Sequence, residues 1–229
     1  MAYSSIPTEF IFQNLTTLLN ADFPLEGYDA LQGSILVSSF RGAVAHLPVY
    51  VVYRPSTRQL VVAISGTSSF NHTIHDLRAM KHPHPSGRGT VHTGFWCLYQ
   101  GIKASTLDAI RTGLREHDVS ELVITGHSMG GALSYLLTLD LLIDDNVLSP
   151  DVALTIAVFG TPRSGNSDLV KFWREVTDAH RKKNGEASIR EHSVKAYNDG
   201  DFYSVVSPEA IMVIIVNRCS RASAVEIWL

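Results

Sequence analysis

The sequence predicts an α/β fold built on a mostly parallel sheet with helices on both faces. Strand-like and helical stretches alternate through the second half of its 229 residues, which is the order typical of β-α-β units. Residues 122–133 pass from an apolar strand-like run, through Gly126-x-Ser128-x-Gly130, into an apolar helical pattern. Residues 152–159 form another apolar run of strand length. These features indicate one α/β domain over residues 1–229.

The first part of the chain is interpreted as a helix followed by strands. Apolar residues recur at helical spacing in residues 8–20, after a proline that can open a helix. Strand-like runs occupy residues 34–40, 47–53 and 60–65, and a turn signal at 54–57 separates the last two. We therefore expect a hairpin that leads into a central strand.

From residue 70 onward the predicted elements follow one another closely. They are an amphipathic helix at 70–80, a loop at 81–89, a helix at 95–114, a strand at 121–125, a helix to about 145, a strand at 152–159, a helix at 167–183, a charged loop at 181–186, a strand at 192–197 and an apolar strand at 210–216. The run at 210–216 is far too short to span a membrane, so we expect no transmembrane segment.

Composition excludes several classes of function. The chain has 19 Lys+Arg against 22 Asp+Glu and no basic stripe, so nucleic acid is not an expected partner. Its two cysteines, Cys97 and Cys219, are too few for a disulfide framework, and we expect two free thiols. The N-terminus shows no secretory signal, which predicts a cytoplasmic protein as written, or a secreted one if the true start is missing.

The Gly126-x-Ser128-x-Gly130 spacing is typical of a nucleophile elbow. A strand and a helix then approach so closely that only glycine fits on either side of the serine. The Ser128 hydroxyl would point into a cleft, and the Met129 amide would lie at a helix N-terminus, where it can stabilise an oxyanion. The alternative is a glycine-rich turn capped by serine. The elbow favours acyl transfer.

Five separated motifs together resemble one family, the class 3 lipases of filamentous fungi, which are α/β hydrolases. They cover about residues 60–201 in the order of that family. The motifs are Ile64-Ser65-Gly66-Thr67, Val91-His92-Thr93-Gly94-Phe95, Gly126-His127-Ser128-Met129-Gly130-Gly131, Phe159-Gly160-Thr161-Pro162-Arg163-Ser164-Gly165-Asn166 and Tyr197-Asn198-Asp199-Gly200-Asp201. The resemblance implies an α/β-hydrolase fold and ester hydrolysis.

The resemblance also implies an oxyanion hole and a lid. Thr67 would supply the second oxyanion donor opposite Met129, the alternative being a simple turn at the end of a strand. Phe70, Ile74 and Leu77 lie on one face of the predicted helix where the family has its lid, which implies transient contact with a lipid interface. An ordinary surface helix is the alternative for this segment.

The histidines are assigned structural roles. By resemblance, His92 and His127 lie beside the elbow and are hydrogen-bonded in the core rather than catalytic. A metal site built from His75, His82 and His84 is disfavoured, because prolines interrupt the group and no carboxylate or cysteine set accompanies it. We expect neither a metal nor an organic cofactor. Residues 160–166 are interpreted as a proline turn into a helix cap at Ser164 or Asn166.

The catalytic acid is assigned to Asp201, with Asp199 as the alternative, but the base is missing. In α/β hydrolases a histidine follows the acid, whereas every histidine of this chain precedes Asp201. The tail at 202–229 also departs from the family pattern. We therefore expect a C-terminally incomplete fold, and the hypothesis is that the tail comes from a truncated or misread gene model or from a degenerate copy.

Three functions remain open from the sequence. The first is a carboxylic ester hydrolase of the triacylglycerol lipase or esterase type, which acts on an ester or lipid substrate through a Ser128 acyl-enzyme. The second is a catalytically impaired or dead α/β-hydrolase-like protein that lacks the triad histidine and binds an apolar ligand or a partner. The third is a serine hydrolase with another acyl substrate, such as a feruloyl ester or a thioester.

Overall fold

A computed structural model of the chain describes residues 33–66, 80–144 and 147–194, together with Phe10, Gln13 and Asn14. These residues form strands and helices in alternation. The elements are β1 (Ile35–Arg41), β2 (Pro48–Arg54), β3 (Gln59–Ile64), β4 (Lys81–Pro83), β5 (Thr90–His92), α1 (Thr93–Glu116), β6 (Glu121–His127), α2 (Met129–Ile143), β7 (Ala153–Phe159), α3 (Ser167–Asn184), a 3₁₀ turn (Glu186–Ser188) and β8 (Ile189–Val194).

The main sheet has the strand order β1-β2-β3-β6-β7-β8. The first three strands are antiparallel neighbours, whereas β3, β6, β7 and β8 run parallel. Each step from β3 to β8 moves in one direction across the sheet, so right-handed crossovers place α1, α2 and α3 on the same face. The prediction of a mostly parallel central sheet is confirmed.

Successive side chains along each strand point to opposite faces of the sheet. Leu122 and Ile124 of β6 are buried in the large core that includes the three helices. Val123, between them, belongs to a smaller buried group on the other side with Val61, Ala157 and Phe159. Since every described helix contributes to the large core, the described helices cover one face of the sheet.

The predicted loop at 81–89 was wrong at its start. Lys81–Pro83 form β4, which pairs antiparallel with β5 so that Lys81 faces His92 and Pro83 faces Thr90. Prolines and glycines indicate where regular secondary structure is interrupted, but they do not show whether the flanking residues pair with each other. Pro85, Gly87 and Gly89 lie in the turn of this hairpin, whereas Pro83 is the last residue of β4.

The charged loop predicted at 181–186 was wrong in its first part, although the predicted helix at 167–183 agrees with α3 to within one residue. The helix continues to Asn184, and Gly185 ends it with a left-handed φ of 95°. Its last turn holds Arg181, Lys182 and Lys183, which favour a helix C-terminus because of the helix dipole. The sequence had placed these charges in a loop, and consequently predicted β8 at 192–197 instead of Ile189–Val194.

Several predicted elements lie partly or wholly outside the described residues. Of the predicted helix at 8–20, the structure describes one turn, in which the Asn14 amide donates to the Phe10 carbonyl at 3.0 Å. The predicted lid helix, apart from Met80, and the strand at 210–216 lie outside. Cys97 is an exposed free thiol on α1, and Cys219 lies outside the described part. None of the described helices has the length and apolar character that crossing a bilayer demands.

Candidate active site

Ser128 occupies the sharp junction between β6 and α2. Its backbone has φ 53° and ψ −122°, a left-handed conformation that an L-residue adopts only under constraint. Holding a non-glycine residue in such a conformation costs about 1–3 kcal/mol, and the surrounding packing has to supply it. This strained turn is the geometry predicted for a nucleophile elbow, and it lifts the serine away from the strand.

The glycines around Ser128 are required by close backbone approach. A Cβ at Gly126 would clash with the carbonyl of Gly130, and a Cβ at Gly130 would clash with the carbonyl oxygen of Ile64. At Gly131, a Cβ would collide with the Thr161 hydroxyl oxygen. The elbow is therefore pressed against the backbone of β3 on one side and against the Thr161 side chain, in the loop after β7, on the other. Neither contact leaves room for a side chain.

Hydrogen bonds hold the elbow from both sides. The Ser128 amide donates to the Phe159 carbonyl at 2.8 Å, which ties the turn to the end of β7. The Ser128 carbonyl accepts from the amides of Gly131 at 3.0 Å and Ala132 at 3.3 Å, which begins α2. The Ser128 side chain makes no hydrogen bond to any described residue, so its hydroxyl stays available.

The first residue of α2 is Met129, as the oxyanion prediction requires. Its amide has no acceptor within the helix because it belongs to the first turn, where backbone N–H groups point out of the N-terminus. The Met129 side chain is fully buried, which orients its backbone. A donor thus lies directly beside Ser128 at the positive end of a 15-residue helix.

The end of β3 also meets the elbow. Ile64 lies against Gly130, and the buried Ser65 donates its amide to the Pro48 carbonyl at 3.1 Å. Gly66 is the last described residue before Thr67. The predicted second oxyanion donor, Thr67, therefore lies outside the described residues, one residue beyond a segment that approaches the elbow.

Other predicted site residues also lie outside the described part of the chain. These are the predicted acid Asp201, its alternative Asp199, and the predicted lid residues Phe70, Ile74 and Leu77. The structure therefore brings Ser128 and Met129 together and leaves the remaining assignments as predictions.

No described histidine is hydrogen-bonded to Ser128. His127 adjoins it in sequence, and burial lowers the pKa of the His127 imidazole below its usual value. Burial, reinforced by the charge of Arg190, also lowers the pKa of His192 on β8. Both imidazoles are therefore biased towards the neutral form.

His92 differs from its expected role. Both of its ring nitrogens are buried with no hydrogen-bond partner among the described residues, although it was expected to be hydrogen-bonded. Its ring instead packs against Phe95 at a centroid distance of 4.7 Å, and burial lowers its pKa. The sequence identified its neighbourhood but could not show which polar groups face it.

The remaining candidate histidines have packing partners. The His84 Nδ1 atom lies 2.7 Å from the Ser86 hydroxyl, and its ring approaches Trp96 edge-on. His82 stacks on that indole at a centroid distance of 5.2 Å. No group of three potential metal ligands occurs within the described residues.

The loop after β7 connects the elbow to the hairpin. Asn166 caps α3 by accepting from the Leu169 amide at 3.1 Å, as one of the two predicted caps. The same Asn166 oxygen accepts from the Thr90 amide at 2.9 Å. Sequence reasoning missed Thr161, whose hydroxyl packs on Gly131, because no local pattern signals that contact.

The chain matches a family model described as lipase (class 3) over residues 61–208. The lipase of Rhizopus niveus is 28% identical over 132 residues, which cover 57% of this chain and 33% of that protein. The lipase of Rhizomucor miehei is 24% identical over 192 residues, which cover 81% of this chain and 53% of that protein. The chain therefore spans about a third to a half of the length of these relatives.

A solved structure gives the same picture of the fold. The crystal structure of a lipase from Rhizopus microsporus var. chinensis superposes with a TM-score of 0.59 at 23% identity, covering 72% of this chain and 54% of that chain. At this identity the likeness concerns the fold. The predicted α/β-hydrolase architecture is confirmed.

Proposed function

Because the chain belongs to the class 3 lipase family, we propose that it is a serine ester hydrolase acting on acylglycerols or similar carboxylic esters. The observation that carries this proposal is the strained Ser128 at the junction of β6 and α2, with the N-terminus of α2 beside it. A buried glycine-rich turn without a catalytic role would not need this conformation. The geometry supports nucleophilic attack by one serine.

The proposed reaction proceeds through an acyl-enzyme. The Ser128 oxygen attacks the ester carbonyl carbon, and the tetrahedral oxyanion accepts hydrogen bonds from the Met129 amide and from Thr67. Collapse breaks the bond to the alcohol, which leaves with a proton, and water then releases the acid by the same route. Each oxyanion donor contributes about 3–4 kcal/mol to transition-state stabilisation.

The proposed reaction also needs an acid and a base. We assign Asp201 the role of orienting and stabilising an imidazolium. However, no described imidazole is hydrogen-bonded to Ser128. Loss of the general base lowers turnover in such triads by about 10⁴ to 10⁶.

This observation favours a second candidate function. A protein with an intact elbow but no base would retain the fold, the oxyanion donors and the capacity to bind an ester or another apolar ligand. It would therefore be a catalytically impaired member of the same fold. The two candidates differ in one measurable property, the reactivity of the Ser128 hydroxyl.

We also propose a lid over the serine, formed by the face that holds Phe70, Ile74 and Leu77. An apolar helix face that covers a cleft in water can open when it meets a lipid surface. Support for this comes from the periodicity of the segment and from the family. The expected consequence is a rise in activity on substrate that forms an interface.

The experiment is labelling of the full chain with a fluorophosphonate probe, together with p-nitrophenyl butyrate hydrolysis. We expect labelling and hydrolysis by the parent chain and neither by Ser128→Ala. Ser120→Ala is the matched control, since Ser120 lies just before β6, at the opposite end of that strand from Ser128. Its substitution should leave both signals unchanged.

The outcomes separate the candidates. A folded parent chain that neither labels nor hydrolyses the ester at a rate above Ser128→Ala contradicts the hydrolase proposal and supports the impaired protein. If the chain is active, its rates on butyrate and on long-chain esters distinguish an esterase from a lipase. Feruloyl ester and thioester substrates, assayed in parallel, test the remaining acyl classes.

A further inference from the structure

A cavity of about 820 Å³ lies to one side of the elbow. It is enclosed by α2, α3, the β4–β5 hairpin and the loop after β7. Its apolar wall is formed by side chains from the two helices, among them Leu136, Leu139, Leu169 and Trp173. Most of these are buried in the core, so this wall is held rigidly by the surrounding packing.

The cavity is distinct from the proposed catalytic serine. Neither Ser128 nor Met129 belongs to its described lining, and the first α2 residue that does is Tyr135. Tyr135 lies six residues into the helix, which corresponds to about 9 Å along its axis. A ligand in the cavity would therefore contact the flank of α2 and not its N-terminus.

The rim of the cavity is positively charged. Lys81, Arg163 and Arg174 line it, and none of the three makes an ion pair with a described carboxylate. A fourth lining cation, Lys171, is paired with Asp168 at 3.3 Å. No aspartate or glutamate occurs in the described lining, although the whole chain has a net charge of −3.

One carboxylate touches the lining without belonging to it. Glu191 accepts a hydrogen bond of 2.6 Å from the Tyr135 hydroxyl. That bond leaves the charge of the carboxylate intact, so Glu191 and Asp168 offset part of the charge of the four lining cations but not all of it. The local field of the cavity favours an anion.

Unused polar groups lie beneath the wall of the same cavity. The hydroxyl oxygens of Thr90 and Thr161 and both ring nitrogens of His92 are buried with no hydrogen-bond partner among the described residues. Buried polar groups in folded proteins nearly always have partners, so this cluster is unusual. These atoms have almost no accessible surface, and the Thr161 hydroxyl faces Gly131, so they do not contact a ligand in the cavity.

We propose that this cavity binds a single-chain anionic amphiphile, whose headgroup is a carboxylate or a phosphate monoester. The headgroup oxygens interact with the guanidinium groups of Arg163 and Arg174. The alkyl chain lies along the apolar wall formed by α2 and α3. A free inorganic anion would not contact the apolar wall, and an uncharged alcohol would not pair with the arginines of the rim.

Binding does not depend on catalysis, so it is measured on the full chain with Ser128→Ala. Equilibrium dialysis or isothermal titration calorimetry is carried out with dodecanoate and with dodecyl phosphate, each below its micelle concentration. We expect saturable binding of one or both, with dodecanol and acetate binding at least about tenfold more weakly. The preferred headgroup shows whether the carboxylate or the phosphate ester is the ligand.

Charge variants test the rim. The double substitution Arg163→Gln and Arg174→Gln should raise the dissociation constant about tenfold or more, because two charge-assisted contacts are lost. The matched control is Arg111→Gln with Arg115→Gln, two exposed arginines of α1 that pair only with exposed carboxylates. These control changes should leave the dissociation constant unaltered.

Two results overturn the proposal. Equal affinity for dodecanol and dodecanoate would show that the apolar wall binds without the cations. Undiminished binding by the Arg163 and Arg174 double variant, with circular dichroism confirming that it is folded, would place the ligand elsewhere. Failure of esterase activity affects neither measurement, so this inference is tested separately from the proposed hydrolysis.

Discussion

The Ser128 amide donates a hydrogen bond of 2.8 Å to the carbonyl of Phe159, the last residue of β7. The two residues are far apart in sequence and lie at the ends of neighbouring parallel strands. This bond fixes the elbow at the carboxyl edge of the sheet, where α/β proteins place their functional groups. It also means that the conformation of Ser128 depends on the neighbouring strand as well as on its own glycines.

Gly130→Ala should destabilise the fold by about 1–3 kcal/mol, because the new methyl group meets the Ile64 carbonyl, which cannot move without shifting β3. Gly113→Ala is the matched helical control. Its methyl group would meet only the flexible end of the Leu60 side chain, and the change gains helix propensity. Urea unfolding monitored by circular dichroism gives both values. Equal losses would contradict the close approach at the elbow.

Glu121→Ala should lower the free energy of unfolding by about 2–3 kcal/mol, because two donors lose their acceptor. The nearly buried carboxylate of Glu121 accepts from the Gln59 amide at 2.6 Å and from the Thr155 hydroxyl at 2.5 Å. Glu116→Ala, which removes only an exposed pair with Arg115, should cost less than about 0.5 kcal/mol. Urea unfolding gives the free energy of unfolding of both variants. Equal losses in the two variants would contradict this prediction.

Stability should fall as the pH drops below about 6.5, and His84 should account for part of the loss. Burial lowers the pKa of His84, and the nearby Asp140 only partly opposes this effect. The folded state therefore binds fewer protons than the unfolded state, so the stabilisation is complete above the unfolded pKa and disappears as the pH falls through the folded one. His84→Gln should flatten the pH dependence of unfolding between pH values of about 7 and 5.

The exposed His46 provides the control for this measurement. His46→Gln should leave the slope of stability against pH close to that of the parent chain. If His84→Gln retains the parent slope, the acid sensitivity comes from other groups.

Asp201→Asn should lower ester hydrolysis by about 10³- to 10⁴-fold, because the amide cannot stabilise an imidazolium. Asp199→Asn is the matched control and should have a much smaller effect. The measurement is kcat for p-nitrophenyl butyrate, with thermal melting to confirm that each variant is folded. A larger loss in Asp199→Asn would transfer the acid assignment to Asp199, and equal rates in the two variants would remove Asp201 from the mechanism.

Local sequence patterns predicted most of the described elements. Four of the strands, β2, β3, β6 and β7, are continuous apolar runs, and two helices, α1 and α2, repeat apolar residues at helical spacing. Each of these elements can therefore be recognised within a short stretch of sequence. β4 was missed because it is defined by its pairing with β5 and not by its own composition. The loop predicted at 181–186 was wrong over residues 181–184, because a cluster of basic residues suits both a loop and the last turn of a helix.

The sequence by itself determined the class of fold, the elbow and the identity of the candidate nucleophile, because glycine spacing around Ser128 reflects a steric demand that acts over a few residues. Only the tertiary structure decided which groups meet that elbow. The contact of Thr161 with Gly131, the unpartnered nitrogens of His92 and the cationic cavity all join segments that are distant in the chain. Such contacts arise when crossover helices pack on a sheet, and no local periodicity encodes them.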